Sequence, residues 1–137
     1  VNRHRESFVK LVENHIDILF ANEDEIKALY KTTSLNTAIE ELKKTCDLAA
    51  ITIGKKGSIL ISSSKVINID PFSFGKAIDT TGAGDLYAGG FLKGLADGLK
   101  PEISARIGSI CAGHIVTQLG SRSNTDLLNL ISSHLEL

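Results

Sequence analysis

Apolar residues recur three or four positions apart in several stretches of the chain, and short unbroken apolar runs lie between some of these stretches. The first pattern indicates a helix with one buried face, and the second indicates a buried strand. Helices are therefore predicted over residues 3–15, 22–31, 36–44, 101–119 and 123–131, with a further helix from the turn of Asp85 to about Gly98. Strands are predicted over residues 17–21, 48–53, 58–62 and 65–69, the last two as a hairpin around Ser63 and Ser64.

The order of these elements predicts the fold class. Strands alternate with helices, which is typical of an α/β fold with a mainly parallel sheet. In such sheets, ligands bind beyond the carboxyl ends of the strands, where loops enter helices. Asn22 and Gly82 both occupy positions of that kind, so a ligand site is expected around them.

Polar residues and glycines mark the expected helix ends. Asn36 or Thr37 is expected to cap the third helix, because Thr37 has capping-box spacing with Glu40. Ser123 is expected to cap the last helix, and Gly120 to close the helix before it. These boundaries rest on residues that can satisfy the free backbone groups at helix ends.

The chain has 137 residues, a formal net charge of −1 and 42% hydrophobic residues, which is typical of one globular domain. This charge balance leaves no basic face for nucleic acid and no polybasic membrane signal, and no apolar run is long enough to span a bilayer. Cys46 and Cys111 are expected to be buried thiols, since they lack disulfide and metal spacing. A cytoplasmic setting is the simplest interpretation, and the lack of Met predicts a fragment of a longer protein.

The stretch from Asp79 to Asp85 reads Asp-Thr-Thr-Gly-Ala-Gly-Asp and precedes a helix. Gly82, Ala83 and Gly84 are small, so a ligand can approach their backbone amides closely. Such amides are unpaired at a helix N-terminus, and together with the dipole they favour an anion. The Asp85 carboxylate would repel phosphate, but it suits removal of a proton from a hydroxyl that attacks a phosphoryl group. The alternative is an ordinary N-terminal Asp that stabilises the dipole, beside glycines of a tight turn.

This string resembles the motif of the ribokinase-like (PfkB) carbohydrate kinase family, in which a helix rich in small residues follows; here Ala88, Gly89 and Gly90 supply that part. The resemblance implies that residues 1–137 are the C-terminal ATP-binding portion of a three-layer Rossmann-like (ribokinase-like) α/β fold, without the N-terminal half and lid. It assigns catalytic roles to Asp85 as base and to the anion-hole amides of Gly82, Ala83 and Gly84. Adjacent glycines in a helix cost about 1 kcal/mol each relative to Ala, so close helix–sheet or backbone–ligand packing is expected around them.

Asn22 and Glu25 follow the first predicted strand and match the family's Asn-x-x-Glu motif. In the family, this motif orders Mg²⁺, its waters and the phosphates. The chemistry is reasonable, because Mg²⁺ keeps several waters that one carboxylate and one amide can hold. The alternative is structural, since Asn at a helix start with Glu three residues later is close to a capping box. The presence of Asp85 favours the magnesium interpretation.

Thr52, Gly54 and Gly57 follow the second predicted strand and resemble the family's Thr-x-Gly-x-x-Gly motif. The resemblance places this loop along the nucleotide, where Thr52 offers a hydroxyl and the glycines admit the ligand close to the backbone. The alternative is a plain hairpin turn. Lys55 and Lys56 then either touch phosphate or are exposed turn lysines.

Two further residues are candidates by resemblance. In some members of the family, the first Asp of the string, here Asp79, helps to hold a monovalent cation such as K⁺, although Asp79 can equally brace the loop. His114 lies on a helix whose small residues flank the adenine in the family, but a surface or core histidine is the favoured interpretation. The segment from Arg3 to Glu25 is similar to the adenosine-kinase-like branch.

The resemblance implies ATP-dependent phosphorylation of a hydroxyl on a sugar or nucleoside, with Mg²⁺, and is compatible with a homodimer formed through the missing lid. The isolated fragment is expected to be inactive. The alternative is a non-catalytic nucleotide- or phosphate-binding α/β module in which Asp85 is structural. A dinucleotide-binding oxidoreductase is disfavoured, since no Gly-x-Gly-x-x-Gly follows the first strand.

Overall fold

The computed structural model describes residues 1–135, which form an α/β structure and divide into two compact units. The first unit contains Val1–Gly54 and Ile59–Ile67, and the second contains Lys55–Ser58 and the chain from Asn68 onward. The predicted α/β class is confirmed. No helix within residues 1–135 is long and apolar enough to cross a bilayer.

Most of a four-stranded sheet belongs to the first unit. The helices are α1 (Arg5–Asn14), α2 (Glu23–Leu29) and α3 (Leu35–Leu42), and the strands are β1 (Leu19–Asn22), β2 (Leu48–Thr52), β3 (Ser58–Ser62) and β4 (Lys65–Ile69). The strand order is β1-β2-β3-β4, and the last two residues of β4 and the first of β3 belong to the second unit. Strands β1 and β2 pair in parallel, which puts Asn22 level with Thr52.

The hairpin of β3 and β4 has the predicted bounds. Ser63 and Ser64 form its two-residue turn with φ values of 48° and 66°. Positive φ at both turn residues matches the right-handed twist of the flanking strands. The Ser63 amide also donates to the carbonyl of Asp47 at 3.0 Å, which ties the turn to the chain just before β2.

The core of the first unit consists of apolar side chains from its helices and its sheet. Ile26 of α2, Leu42 of α3 and Ile51 of β2 are fully buried in it. Burial of such a side chain favours folding by about 1.5–3 kcal/mol relative to exposure. This packing holds α2 in place directly after β1, and so positions the N-terminus of α2.

The second unit contains α4 (Ala83–Ala96), α5 (Pro101–Ile115) and α6 (Leu127–His134). Glycines let α4 and α5 approach closely: a Cβ on Gly94 would lie 2.7 Å from Ser104 Oγ, and one on Gly90 would lie 2.9 Å from Cys111 Sγ. A Cβ on Gly89 would meet nothing within 4 Å. Packing therefore explains the second of the two adjacent glycines but not the first, and the packing is against helix α5 and not against the sheet.

Two predicted N-caps are wrong. Ser34 caps α3, because its backbone is extended and its Oγ accepts the amide of Thr37 at 3.3 Å, which places Thr37 inside the helix. The last helix begins at Leu127, and Asp126 caps it by accepting the amide of Leu128 at 2.9 Å. In each case the cap is the residue directly before the first helical residue.

Helix α5 ends at Ile115 and not at the predicted residue 119. The carbonyl of Val116 accepts the amides of Ile78 at 2.7 Å and Asp79 at 3.2 Å. The chain beyond Ile115 is therefore used to anchor the loop before α4, and Gly120 follows with a positive φ of 81°.

Both cysteines are free and buried, as predicted. Burial raises the pKa of the Cys46 and Cys111 thiols above the ordinary value of 9.0. Cys46 belongs to the first unit and Cys111 to the second.

Candidate active site

The carboxylate of Asp79 holds the loop before α4. Its Oδ1 accepts the amide of Thr81 at 2.9 Å, and its Oδ2 accepts the amide of Gly120 at 3.0 Å. Hydrogen bonds from the Thr81 side chain and from these two amides lower the pKa of Asp79 below its ordinary value of 3.8. Asp79 thus braces the loop, which is one of its two predicted roles, while a monovalent cation at this residue stays a prediction.

Gly82 is the N-cap of α4 and has a φ of 78°, in the left-handed region that favours glycine. A Cβ built on Gly82 would lie 2.5 Å from the Cβ of Ser121. Both the backbone angle and the nearby segment therefore require glycine here. The loop enters α4 at this residue, so Gly82 sets the direction in which the first amides of α4 point.

The backbone amides at the start of α4 form a candidate anion site. The Ala83 amide donates to the carbonyl of Thr80 at 3.2 Å, whereas the amides of Gly82, Gly84 and Asp85 have no acceptor within residues 1–135. Unpaired amides at the positive end of a helix dipole favour an anion. Those of Gly82 and Gly84 fit the predicted anion hole, and the Ala83 amide would have to share its existing bond.

Asp85 is the third residue of α4, and its side chain is exposed. It forms no ion pair with any residue in the described part of the chain. An exposed carboxylate beside free amides can meet an incoming hydroxyl and take its proton.

Asn22 and Glu25 form a capping box at the N-terminus of α2. Asn22 Oδ1 accepts the Glu25 amide at 2.9 Å, and Glu25 Oε2 accepts the Asn22 amide at 2.8 Å. The structural interpretation of this pair is therefore correct. The second carboxylate oxygen of Glu25 takes no part in the box, so the pair also fits a Mg²⁺ ion that is held through its waters.

A pocket of about 360 Å³ lies beside this capping box in the first unit. It is lined by Asn22, Glu23, Asp24, Thr52, Ile53 and Gly54. The parallel register explains this grouping, since β1 and β2 end side by side. The structure thus brings Asn22, Thr52 and Gly54 together at the carboxyl ends of two strands, where α/β sheets bind ligands.

The turn after β2 contains two glycines with different environments. Gly54 has a φ of 59°, and a Cβ on it would meet nothing within 4 Å. Gly57 has a φ of 93°, and a Cβ on it would lie 2.1 Å from the carbonyl oxygen of Ile69. Lys55 and Lys56 between them are exposed. Gly57 is therefore required by packing, while Gly54 leaves its backbone open to a ligand.

His114 is half-buried on α5. Its ring meets that of Phe74 edge-on, with 5.8 Å between the ring centroids. Its Nε2 is buried and has no hydrogen-bond partner within the described residues. This environment agrees with the favoured interpretation, in which His114 is a packed histidine.

No sequence pattern predicts the contacts that the segment Gly120–Ser121 makes with Asp79 and Gly82. Its only sequence signal is the polar run that begins at Gly120, which indicates a loop but not what the loop touches. A buried hydrogen bond between Ser58 and Tyr87 also has no sign in the sequence.

Known proteins resemble this chain in both sequence and structure. The model of the family "pfkB family carbohydrate kinase" matches residues 3–127. A nucleoside kinase of Methanocaldococcus jannaschii is 32% identical over 132 residues, which cover 96% of this chain and 43% of the relative. The crystal structure of adenosine kinase from Sinorhizobium meliloti has a TM-score of 0.92 at 35% identity, and that of a probable sugar kinase from Rhizobium etli CFN 42 has 0.93 at 32%. Both alignments cover 97% of this chain and 41% of the other, so this chain spans less than half the length of these relatives.

Proposed function

Because the chain belongs to the pfkB family of carbohydrate kinases, we propose that the protein transfers the γ-phosphoryl group of ATP to a hydroxyl of a sugar or nucleoside. The observation that carries this proposal is the exposed carboxylate of Asp85 at the N-terminus of α4, next to amides that have no acceptor among the described residues. A base and an anion site are side by side there, as phosphoryl transfer to a hydroxyl requires.

Asp85 serves as the base. The substrate hydroxyl gives its proton to the Asp85 carboxylate while its oxygen bonds to the γ-phosphorus. The bond from that phosphorus to the β,γ-bridging oxygen breaks, and ADP leaves with the electron pair. General base catalysis contributes about 10²–10⁴-fold, and positioning and charge stabilisation supply the rest in a phosphoryl transfer.

The amides of Gly82 and Gly84, joined by that of Ala83, stabilise the negative charge on the transferring phosphoryl group. Donors that are already fixed in place by the helix need no reorganisation during the reaction, which is why such sites are effective. The brace from Asp79 to Gly120 supports this role by keeping the loop in shape.

Asn22 and Glu25 would hold Mg²⁺ through its water shell, and the ion would supply positive charge against the phosphates. Thr52, Gly54 and Gly57 line the nucleotide. Support comes from the pocket shared by Asn22, Thr52 and Gly54. K⁺ at Asp79 would share carboxylate oxygens that already accept two amides.

A nucleoside, with adenosine first, is the favoured acceptor. Relatives named nucleoside kinase and adenosine kinase align with most of this chain at 32% and 35% identity, respectively. A ribokinase of Lactococcus lactis also aligns at 29% identity, so pentoses are the second choice.

The test is ATP consumption by the intact protein with Mg²⁺, over a panel of adenosine, other nucleosides, ribose and fructose. Asp85→Asn is expected to lower kcat on the preferred acceptor by about 10²–10⁴-fold and to leave ATP affinity nearly unchanged, because it removes the base but not the amides. Asp97→Asn makes the same chemical change at the other end of α4 and serves as the control.

If the Asp85→Asn variant keeps a turnover within about tenfold of the wild-type value, Asp85 is not the base. Binding of Mg-ATP without turnover on any acceptor would favour the non-catalytic nucleotide-binding module. Absence of ATP binding would contradict the kinase assignment itself.

A further inference from the structure

Two hydroxyl groups meet in the interior of the second unit. Ser58 Oγ and Tyr87 Oη are 2.8 Å apart, and the two residues are 1% and 2% exposed. Ser58 is the first residue of β3, and Tyr87 lies in the second turn of α4. Neither residue has a role in the proposed reaction.

Stability alone does not account for this pair. Replacing both partners of a buried hydrogen bond by apolar groups of similar shape, here Ala and Phe, can be nearly neutral. Removing only one partner is costly, because the other hydroxyl is then left buried without a bond. Such a pair therefore favours one arrangement of its two elements over slightly shifted ones.

Both partners lie next to candidate site residues in the same unit. Ser58 directly follows Gly57, whose close approach to Ile69 fixes the path of the Lys55–Gly57 turn. Tyr87 comes two residues after Asp85 in α4. Its hydroxyl thus links the helix of the proposed base to the end of the turn that the nucleotide is proposed to touch.

Helix α4 packs closely against α5. Its interface with α5 is rich in glycine: a Cβ on Gly108 would lie 2.7 Å from the Tyr87 carbonyl oxygen, and Gly90 makes a similar approach to Cys111. These close contacts set α4 against α5, whereas the Ser58–Tyr87 bond is a directional contact between α4 and the start of β3, directly after the Lys55–Gly57 turn. It therefore bears on the rotation of α4 relative to that turn.

Rotation of α4 moves the proposed base directly. Residues two apart on a helix point about 200° apart, which agrees with the burial of Tyr87 and the exposure of Asp85. A side-chain end about 5–6 Å from the helix axis moves by about 1 Å when the helix turns by about 10°. A displacement of about 1 Å at a reacting group can cost about 10²-fold in rate.

We propose that the Ser58–Tyr87 hydrogen bond is a positioning contact that sets the rotation of α4, and with it the place of the Asp85 carboxylate and the Gly84 amide relative to the Lys55–Gly57 turn. This role rests on the proposed kinase function. It makes Ser58 and Tyr87 positioning residues, since neither is assigned a contact with ATP or with the acceptor.

The experiment compares Tyr87→Phe, Ser58→Ala and the double variant in the intact protein, with kcat, ATP affinity and Tm measured for each. The control is Tyr30→Phe, which makes the same chemical change in the first unit, where the Tyr30 hydroxyl lies 3.2 Å from Thr45 Oγ1. Each single variant is expected to lower kcat by about tenfold or more, with ATP affinity within about threefold, because the carboxylate end lies farther from the helix axis than the backbone amides and so moves more when the helix turns. The control is expected to keep kcat within about twofold.

The double variant separates positioning from stability. Its Tm is expected to recover, since no hydroxyl is left unpaired, while its kcat is expected to stay as low as in the single variants. A kcat that recovers together with Tm, or that never changes, would overturn the positioning role and leave the kinase function standing. A wild-type protein without turnover on any acceptor of the panel would remove the proposed function and the positioning role with it.

Discussion

Single residues shape the loop before α4, and Asp79 does so through its charge. Its two carboxylate oxygens accept amides from Thr81 and from Gly120, which are far apart in sequence. These bonds favour the ionised form, which is why the pKa of Asp79 lies below 3.8. The brace should therefore depend on pH.

Asp79→Asn is expected to destabilise the second unit near neutral pH, because an amide offers one acceptor oxygen in place of two. A group whose pKa is lower in the folded state stabilises the fold above its unfolded pKa and loses that contribution as pH falls through the folded value. The difference in free energy of unfolding between wild type and variant should therefore be constant above about pH 5 and shrink as pH falls below 3.8. Urea denaturation across this range measures it, and a difference that does not vary with pH would contradict the brace.

Gly82 and Gly98 offer a comparison of backbone angle with packing. Both have a φ of 78°, but a Cβ would lie 2.5 Å from Ser121 Cβ at residue 82 and would meet nothing within 4 Å at residue 98. Gly98→Ala is expected to cost about 1–2 kcal/mol for the left-handed angle. Gly82→Ala should cost about 1–3 kcal/mol more, because the Ser121 segment must move. If both variants lose the same free energy of unfolding in urea denaturation, the Ser121 segment moves at no cost.

At the scale of helices, the caps decide where α3 begins. Ser34→Ala is expected to lower the free energy of unfolding by about 1 kcal/mol, since it removes the acceptor of the Thr37 amide. Thr37→Ala is the control. It should be neutral or slightly stabilising, because Thr37 lies inside the helix and Ala has the higher helix propensity. Thermal unfolding of the two variants would contradict this assignment if Thr37→Ala were the more damaging.

The glycines of α4 should respond in opposite directions. Gly89→Ala is expected to raise the free energy of unfolding by about 0.5–1 kcal/mol, because its Cβ would enter open space. Gly90→Ala is expected to lower it by about 1–3 kcal/mol, because its Cβ would lie 2.9 Å from Cys111 Sγ and 3.1 Å from the carbonyl of Ile107. Two destabilised variants would mean that Gly89 faces something other than solvent.

Local patterns predict some elements well and others poorly. The hairpin around Ser63 and Ser64 is predicted residue for residue, because two apolar runs separated by two polar residues leave one register. The start of α3 is not, since Ser34 and Thr37 are both good caps and the choice depends on the backbone before the helix. The bond from Gly120 to Asp79 lies beyond any local pattern, because the two residues are 41 positions apart in the chain.

At the scale of the whole protein, this chain spans 41–43% of the length of the relatives it resembles. Residues 1–137 alone are expected to consume ATP at the background rate on every acceptor of the panel, because they span less than half the length of these relatives. The intact protein assayed beside them is the control. A rate from the isolated chain within about tenfold of the intact protein would contradict this expectation.

Each compact unit contains one buried thiol, Cys46 in the first and Cys111 in the second. A thiol that is buried and protonated reacts with alkylating reagents only when its surroundings open. The two cysteines are therefore natural probes of local opening: the rate at which each is alkylated under native conditions reports how often its own unit opens, without any engineered label. Peptide mass spectrometry can measure both alkylation rates in one sample, with and without ATP.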